Sequence, residues 1–113
     1  MEAYAIHRKA MIKPLKARMT LDLIRNKDVF TARGILKNTN TKASRLIIKV
    51  LNSAVANAVN NQGADEKDLF ITECYINPGP VYKRTRFASR ANIDRHDHRT
   101  SHITIKVSDK KEV

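Results

Sequence analysis

An α+β fold follows from three features of the chain: a short alternating segment at the N-terminus, a long middle stretch with one broad apolar face, and two β-rich segments joined by a cationic arm. The order is strand, three helices, two strands (β-α-α-α-β-β). Helices gathered between strands pack on one face of a sheet rather than on both. Strands joined by so long an arm pair antiparallel. The expected architecture is a two-layer domain, three helices on a small antiparallel sheet, with a long protruding β-hairpin. The 113 residues suffice for one domain, 1–113, and one modest core.

The first strand spans 3–12, where Tyr4, Ile6, Arg8, Ala10 and Ile12 alternate with Ala3, Ala5, His7, Lys9 and Met11. The first set is the more apolar and is expected to face the core. Pro14 then stands at a first-turn position that needs no backbone N–H. In the helix it opens, Leu15, Met19 and Leu23 stack at i, i+4, i+8, with Arg18, Asp22 and Arg25 opposite. Asn26-Lys27-Asp28 reads as a turn, and Asp28 caps a second helix carrying Val29, Ala32, Ile35 and Leu36. The third helix, about 41–61, has the broadest apolar face: Ala43, Ile47, Val50, Leu51, Ala54, Val55 and Ala58, with Gly63 as its stop. After a strand at 69–76, Asn77-Pro78-Gly79-Pro80 interrupts the pairing or bends the strand, and a cleanly alternating strand spans 100–108. The hairpin between them extends over about 79–104.

The formal charge is +11, in the range of nucleic-acid binders rather than ordinary soluble enzymes. It is unevenly spread. Residues 7–49 hold twelve Lys/Arg against Asp22 and Asp28, and residues 83–113 hold nine against four acids. Between them Asp65, Glu66, Asp68 and Glu73 meet only Lys67. Two basic sectors flanking an acidic one suggest a molecule docked by most of its surface, with one flank turned away. Cys74, the only cysteine, permits neither a disulfide framework nor a thiolate metal cage. There is no signal peptide or membrane-spanning run, so the expected compartment is the cytoplasm, with no membrane partner and no homo-oligomer.

The densest charge lies on the arm, where Lys83, Arg84, Arg86, Arg90, Arg95 and Arg99 are opposed only by Asp94 and Asp97. Like charges repeated along a thin element repel one another and call for a polyanion, and phosphate suits arginine best. Lys16, Arg18, Arg25 and Lys27 form a second basic set that reads as RNA-binding or as a merely solvated helix face. Arg8, Lys9 and Lys13 serve equally well to blunt a sheet edge. On an extended strand Asp94, His96, His98 and His102 share one side and could in principle hold zinc. Arg95 and Arg99 disfavour a cation there, so the histidines, His102 included, read as RNA-facing. No nucleophile–base constellation and no phosphate-cradling glycine loop occurs. The expectation is no enzyme, no cofactor and no metal; the rival classes are a free-standing RNA or DNA regulator and a metal-dependent nuclease.

Lys16-x-Arg18, Asp22-Leu23-Ile24-Arg25 with Lys27, Ser53-Ala54-x-Ala56-Asn57-Ala58, Gly79-Pro80-x-x-Lys83-Arg84 and Arg99-Thr100-Ser101-His102-Ile103 together resemble the bacterial large-subunit ribosomal protein L-twenty-two family. The resemblance covers essentially the whole chain. It implies a ribosomal-RNA-binding structural protein of the large subunit, with neighbouring ribosomal proteins as partners. It also implies a hairpin that lines the nascent-peptide exit tunnel, its tip (Phe87, Ala88, Ser89, Arg90, Ala91, Asn92) facing the nascent polypeptide. At that tip the sequence lacks the proline and glycine of the family's usual stretch, leaving Asn92 as the residue best able to adopt positive φ.

Overall fold

The computed structural model of the chain describes residues 2–87 and 93–109, without the side chains of 82–98. Strand β1 (Glu2–Ala10) leads through helix α1 (Pro14–Leu21), α2 (Val29–Asn38) and α3 (Lys42–Gln62) to strands β2 (Phe70–Phe87) and β3 (Ile93–Ser108). The sheet order is β1-β3-β2, antiparallel throughout, so the last strand is central. One cluster joins the layers: Leu21, Ile24, Ile47, Leu51 and Val29 from the helical side meet Ile71, Ile103, Ile105 and Val107 from the sheet, all at most 1% exposed. Beyond that core β2 and β3 continue alone as a two-stranded ladder from Val81↔Arg99 to Phe87↔Ile93. The radius of gyration is 17.0 Å. A compact chain of this length would have about 13 Å. The difference reflects the projecting ladder.

The two capped helices form where their signals stand. Asp28 accepts a hydrogen bond from the Thr31 amide at the start of α2. At α3, Thr41 and Ser44 exchange bonds in a capping box, and Gly63 ends the helix in the left-handed region at φ 67°. The buried face of α3 matches the expected residues, with Ser44 added.

Two faces are the reverse of the expectation. On β1 the buried residue is Ala3, with Ala5 and His7 half-buried, while Tyr4 and Ile6 are 59% and 41% exposed. Size decides this rather than hydropathy: α3 crosses behind β1 with Ala54 and Ala58 fully buried, and only small side chains fit at so close an approach. A bulge then restores the other set. Three steps of β1 (His7 to Ala10) face two of β3 (Ile103 to Ser101), Lys9 takes φ 56°, and Ala10 and Ile12 turn inward. On α1 the buried residues are Ala17, Thr20 and Leu21, followed by Ile24 in the exit turn; Leu15, Met19 and Leu23 are 69%, 66% and 48% exposed. Both stripes have helical spacing, and small Ala17 and Thr20 again win the position nearest the sheet. The helix also stops at Leu21, before Arg25, and its exit turn is closed by Asn26 at φ 62°.

The strands run longer than expected. Pro78 and Pro80 do not end β2, because it is an edge strand and the ladder shifts register between Pro78 and Val81. Strand β3 begins at Ile93 rather than Thr100.

Candidate nucleic-acid interface

The root of the arm is tied by three consecutive residues of β3, each serving a different partner. Thr100 Oγ1 donates to the Pro80 carbonyl at 2.6 Å and holds the irregular stretch of β2. Ser101 Oγ, fully buried, donates to the Ile12 carbonyl at 2.7 Å and fixes the exit of β1. His102 Nδ1 accepts from the Lys9 amide at 3.1 Å and supports the β1 bulge. Gly79 lies against this knot: a Cβ there would sit 2.5 Å from Thr100 Oγ1 and 3.3 Å from the Thr100 carbonyl carbon. The Gly-Pro and Arg-Thr-Ser-His-Ile segments of the sequence are thus two halves of one joint.

Around this joint the basic residues gather. Arg99 and Lys13 line two adjoining grooves. One, between α1 and the arm root, adds Leu15, Arg18 and Val81. The other, about 730 Å³, lies between the N-terminal ends of α1 and α3 and adds Lys16, Lys42, Met11 and Met19. Among the expected RNA-binding residues, Lys16, Arg18 and Arg99 therefore fall on one continuous surface. Lys27 is exposed in the turn before α2, with its carbonyl accepting from the Ile71 amide at 3.0 Å. His102 is half-buried with Nδ1 already occupied. The side chains of Lys83, Arg84, Arg86, Phe87 and Arg95, and the tip residues Ala88, Ser89, Arg90, Ala91 and Asn92 altogether, lie outside the described residues. So do the side chains of His96 and His98; among the described residues no cluster suited to a metal occurs.

Two of the expected residues have an internal use as well. Arg18 donates to the Ile76 carbonyl at 3.2 Å, and Arg25 to the Cys74 carbonyl at 3.1 Å while pairing with Asp22. Both carbonyls belong to β2, an outer strand of the sheet. Beside Arg25, burial pushes the Cys74 thiol up from its ordinary pKa, and the guanidinium draws it partly back. The acidic sector is largely engaged elsewhere: Glu66 pairs with Arg33, Glu73 with Lys106 at 3.1 Å, and Asp65 accepts from the Lys67 amide.

Lys42, and the grouping of Lys13 with Lys16, were not legible in the sequence as parts of one surface. A signal was present, since both helices that begin there, at Pro14 and Lys42, have no acid in the first turn. Lysine at the positive end of a helix dipole is locally unfavourable.

The family model for ribosomal protein L22p/L17e matches residues 5–108. The chain belongs to that family. Among its relatives are proteins named large ribosomal subunit protein uL22: one from Halothermothrix orenii is 48% identical over 112 residues, covering 99% of both chains. One from Pelotomaculum thermopropionicum is 49% identical over 114 residues, again covering 99% of each. One from Mycoplasmopsis agalactiae is 46% identical over 108 residues, covering 96% of this chain and 95% of its own. As a member of the family, the chain is a structural constituent of the large ribosomal subunit and not an enzyme, located in the cytoplasm with the ribosome.

Proposed function

We propose that the chain is a single rRNA-binding domain that clamps large-subunit RNA between its basic body and its arm, assists assembly of the subunit, and lines the nascent-peptide exit tunnel with its hairpin. The observation that carries this reading is the continuous line of Lys16, Lys13, Arg99 and Arg18, which begins at the N-terminal end of α1 and runs into the root of the arm. None of the four has an acidic partner among the described residues. Cations so placed neutralise phosphates from RNA segments lying on either side of the joint. Lys83, Arg84, Arg86, Arg90 and Arg95 extend the same charge along the arm, and Arg25, Lys27 and His102 border it. The family resemblance supplies the tunnel: the small residues Ala88, Ser89 and Ala91 near the tip leave the phosphates to the flanks and face the nascent polypeptide. Neighbouring ribosomal proteins are the remaining partners.

The test is incorporation. Arg84→Ala and Arg99→Ala should lower the amount of this protein per purified large subunit, since each removes a charge-assisted contact. Substitutions at Ala88, Ser89 or Ala91 should assemble normally and alter stalling on a tunnel-sensing peptide. Loss of the tip variants as readily as the arginine variants would refute the division. In isolation, neutralising on the order of 6–10 phosphates predicts an affinity drop of ~10³–10⁵-fold between 50 and 200 mM salt. A flat salt dependence would refute the clamp.

A further inference from the structure

The larger of the two grooves combines two properties seldom found together on a surface. Its floor is apolar, with Ile12 buried and two thioether side chains, Met11 and Met19, 50% and 66% exposed. Every charge on its lining is positive. The N-terminal ends of two helices open into it, α1 of eight residues and α3 of 21, and neither has an acidic residue in its first turn. Lys16 and Lys42 stand in those first turns, where the helix dipoles add to the cationic field instead of relieving it. Lys42 Nζ donates to the Met11 carbonyl at 2.5 Å, which holds its charge beside the methionine floor, and a lining of this sign favours an anion.

We propose that this groove binds one unstacked nucleotide of RNA, its base on the methionine floor and its phosphate at Lys16 and Lys42. The assignment rests on the rRNA-binding reading and deepens it. A nucleotide offers a flat ring and a phosphate side by side, matching the two halves of the groove. Thioethers bind aromatic edges and adjust to purine or pyrimidine alike, so the pocket selects an extruded base without selecting its identity. The line of cations continues out of the groove through Lys13 and Arg99. A strand with a negative charge at every residue fits that path, whereas a peptide would need acids at regular intervals.

The experiment titrates the full chain with a short RNA duplex carrying one bulged fluorescent adenine analogue, and with the same duplex fully paired. The bulged duplex should bind about ten-fold tighter, with the fluorescence of the analogue changing on binding. Met19→Ala should reduce that preference to about two-fold or less. Lys16→Ala should weaken binding of both duplexes. Both residues are exposed, so neither substitution touches the core. Equal affinity for the two duplexes, or a preference that Met19→Ala leaves intact, overturns the groove assignment. If salt-dependent binding to paired RNA persists in that outcome, the clamp itself stands. Absence of salt-dependent binding to either RNA overturns both. Tighter, Met19-dependent binding of an alternating Asp–Leu peptide would instead assign the groove to a protein partner.

Discussion

Gly79 has φ outside the left-handed region, so its role is space rather than backbone freedom. Placing a methyl group 2.5 Å from Thr100 Oγ1 and 3.3 Å from the Thr100 carbonyl carbon forces the joint of β2 and β3 apart. Gly79→Ala should destabilise the protein by ~1–3 kcal/mol in denaturant unfolding. Combined with Thr100→Ala, which removes the hydroxyl, the loss should be less than additive. Cys74 offers a second residue-scale test. Burial raises its pKa, so the unfolded chain ionises the thiol first as pH rises. The neutral thiol's contribution is complete below the ordinary thiol range and is lost above it. Cys74→Ala should therefore narrow the fall in melting temperature between neutral and strongly alkaline pH, relative to the parent chain. The native thiol should also react slowly with alkylating reagents at neutral pH, rising to the free-thiol rate only on unfolding.

At the scale of elements, two carbonyls on each outer strand of the sheet are occupied by side chains from the helices or from the turn after α1. On β1, Asn57 Nδ2 donates to the Tyr4 carbonyl at 2.9 Å and Gln62 Nε2 to the Glu2 carbonyl at 2.7 Å. On β2, Arg18 and Arg25 do the same for Ile76 and Cys74. Free strand edges template pairing with another chain, and these four donors block it. The double variant Asn57→Ala/Gln62→Ala should remain folded yet show concentration-dependent light scattering that the parent chain lacks. What the sequence made legible divides along the same lines. Helix α3 was readable because its caps and its wide apolar face agree. The faces of β1 and α1 were not, because each offers two apolar stripes of similar spacing and the one bearing the smaller residues lies closest to the neighbouring layer. Arg18 and Arg25 read in the sequence as RNA-binding or as a solvated helix face, since an edge carbonyl needing a donor is visible only once the strands are placed. The candidate site was half legible: its lysines and arginines stood out, but the convergence of two helix ends 28 residues apart in sequence depends on the packing of α1 against α3.

For the whole molecule, the sheet order has a consequence in time. Of the three strands β1 is made first, but among the described residues it pairs in the sheet only with β3, whose Ser108 pairs with Glu2. Ile103, Ile105 and Val107, which complete the core, lie within the last eleven residues. Until those residues are free, β1 and β2 have no central strand to join them and the sheet layer under the helices stays open. Such long-range pairing must also meet its loop-closure cost before any contact is gained. A chain ending at Arg99 should thus show no cooperative thermal transition, whereas one ending at Asp109 should melt as the full protein does. Unlike a domain that folds as its first half appears, this domain acquires its body only once β3 has been made. The arm and the body are then completed by the same strand, so no intermediate presents a finished body without the inner half of the arm already attached.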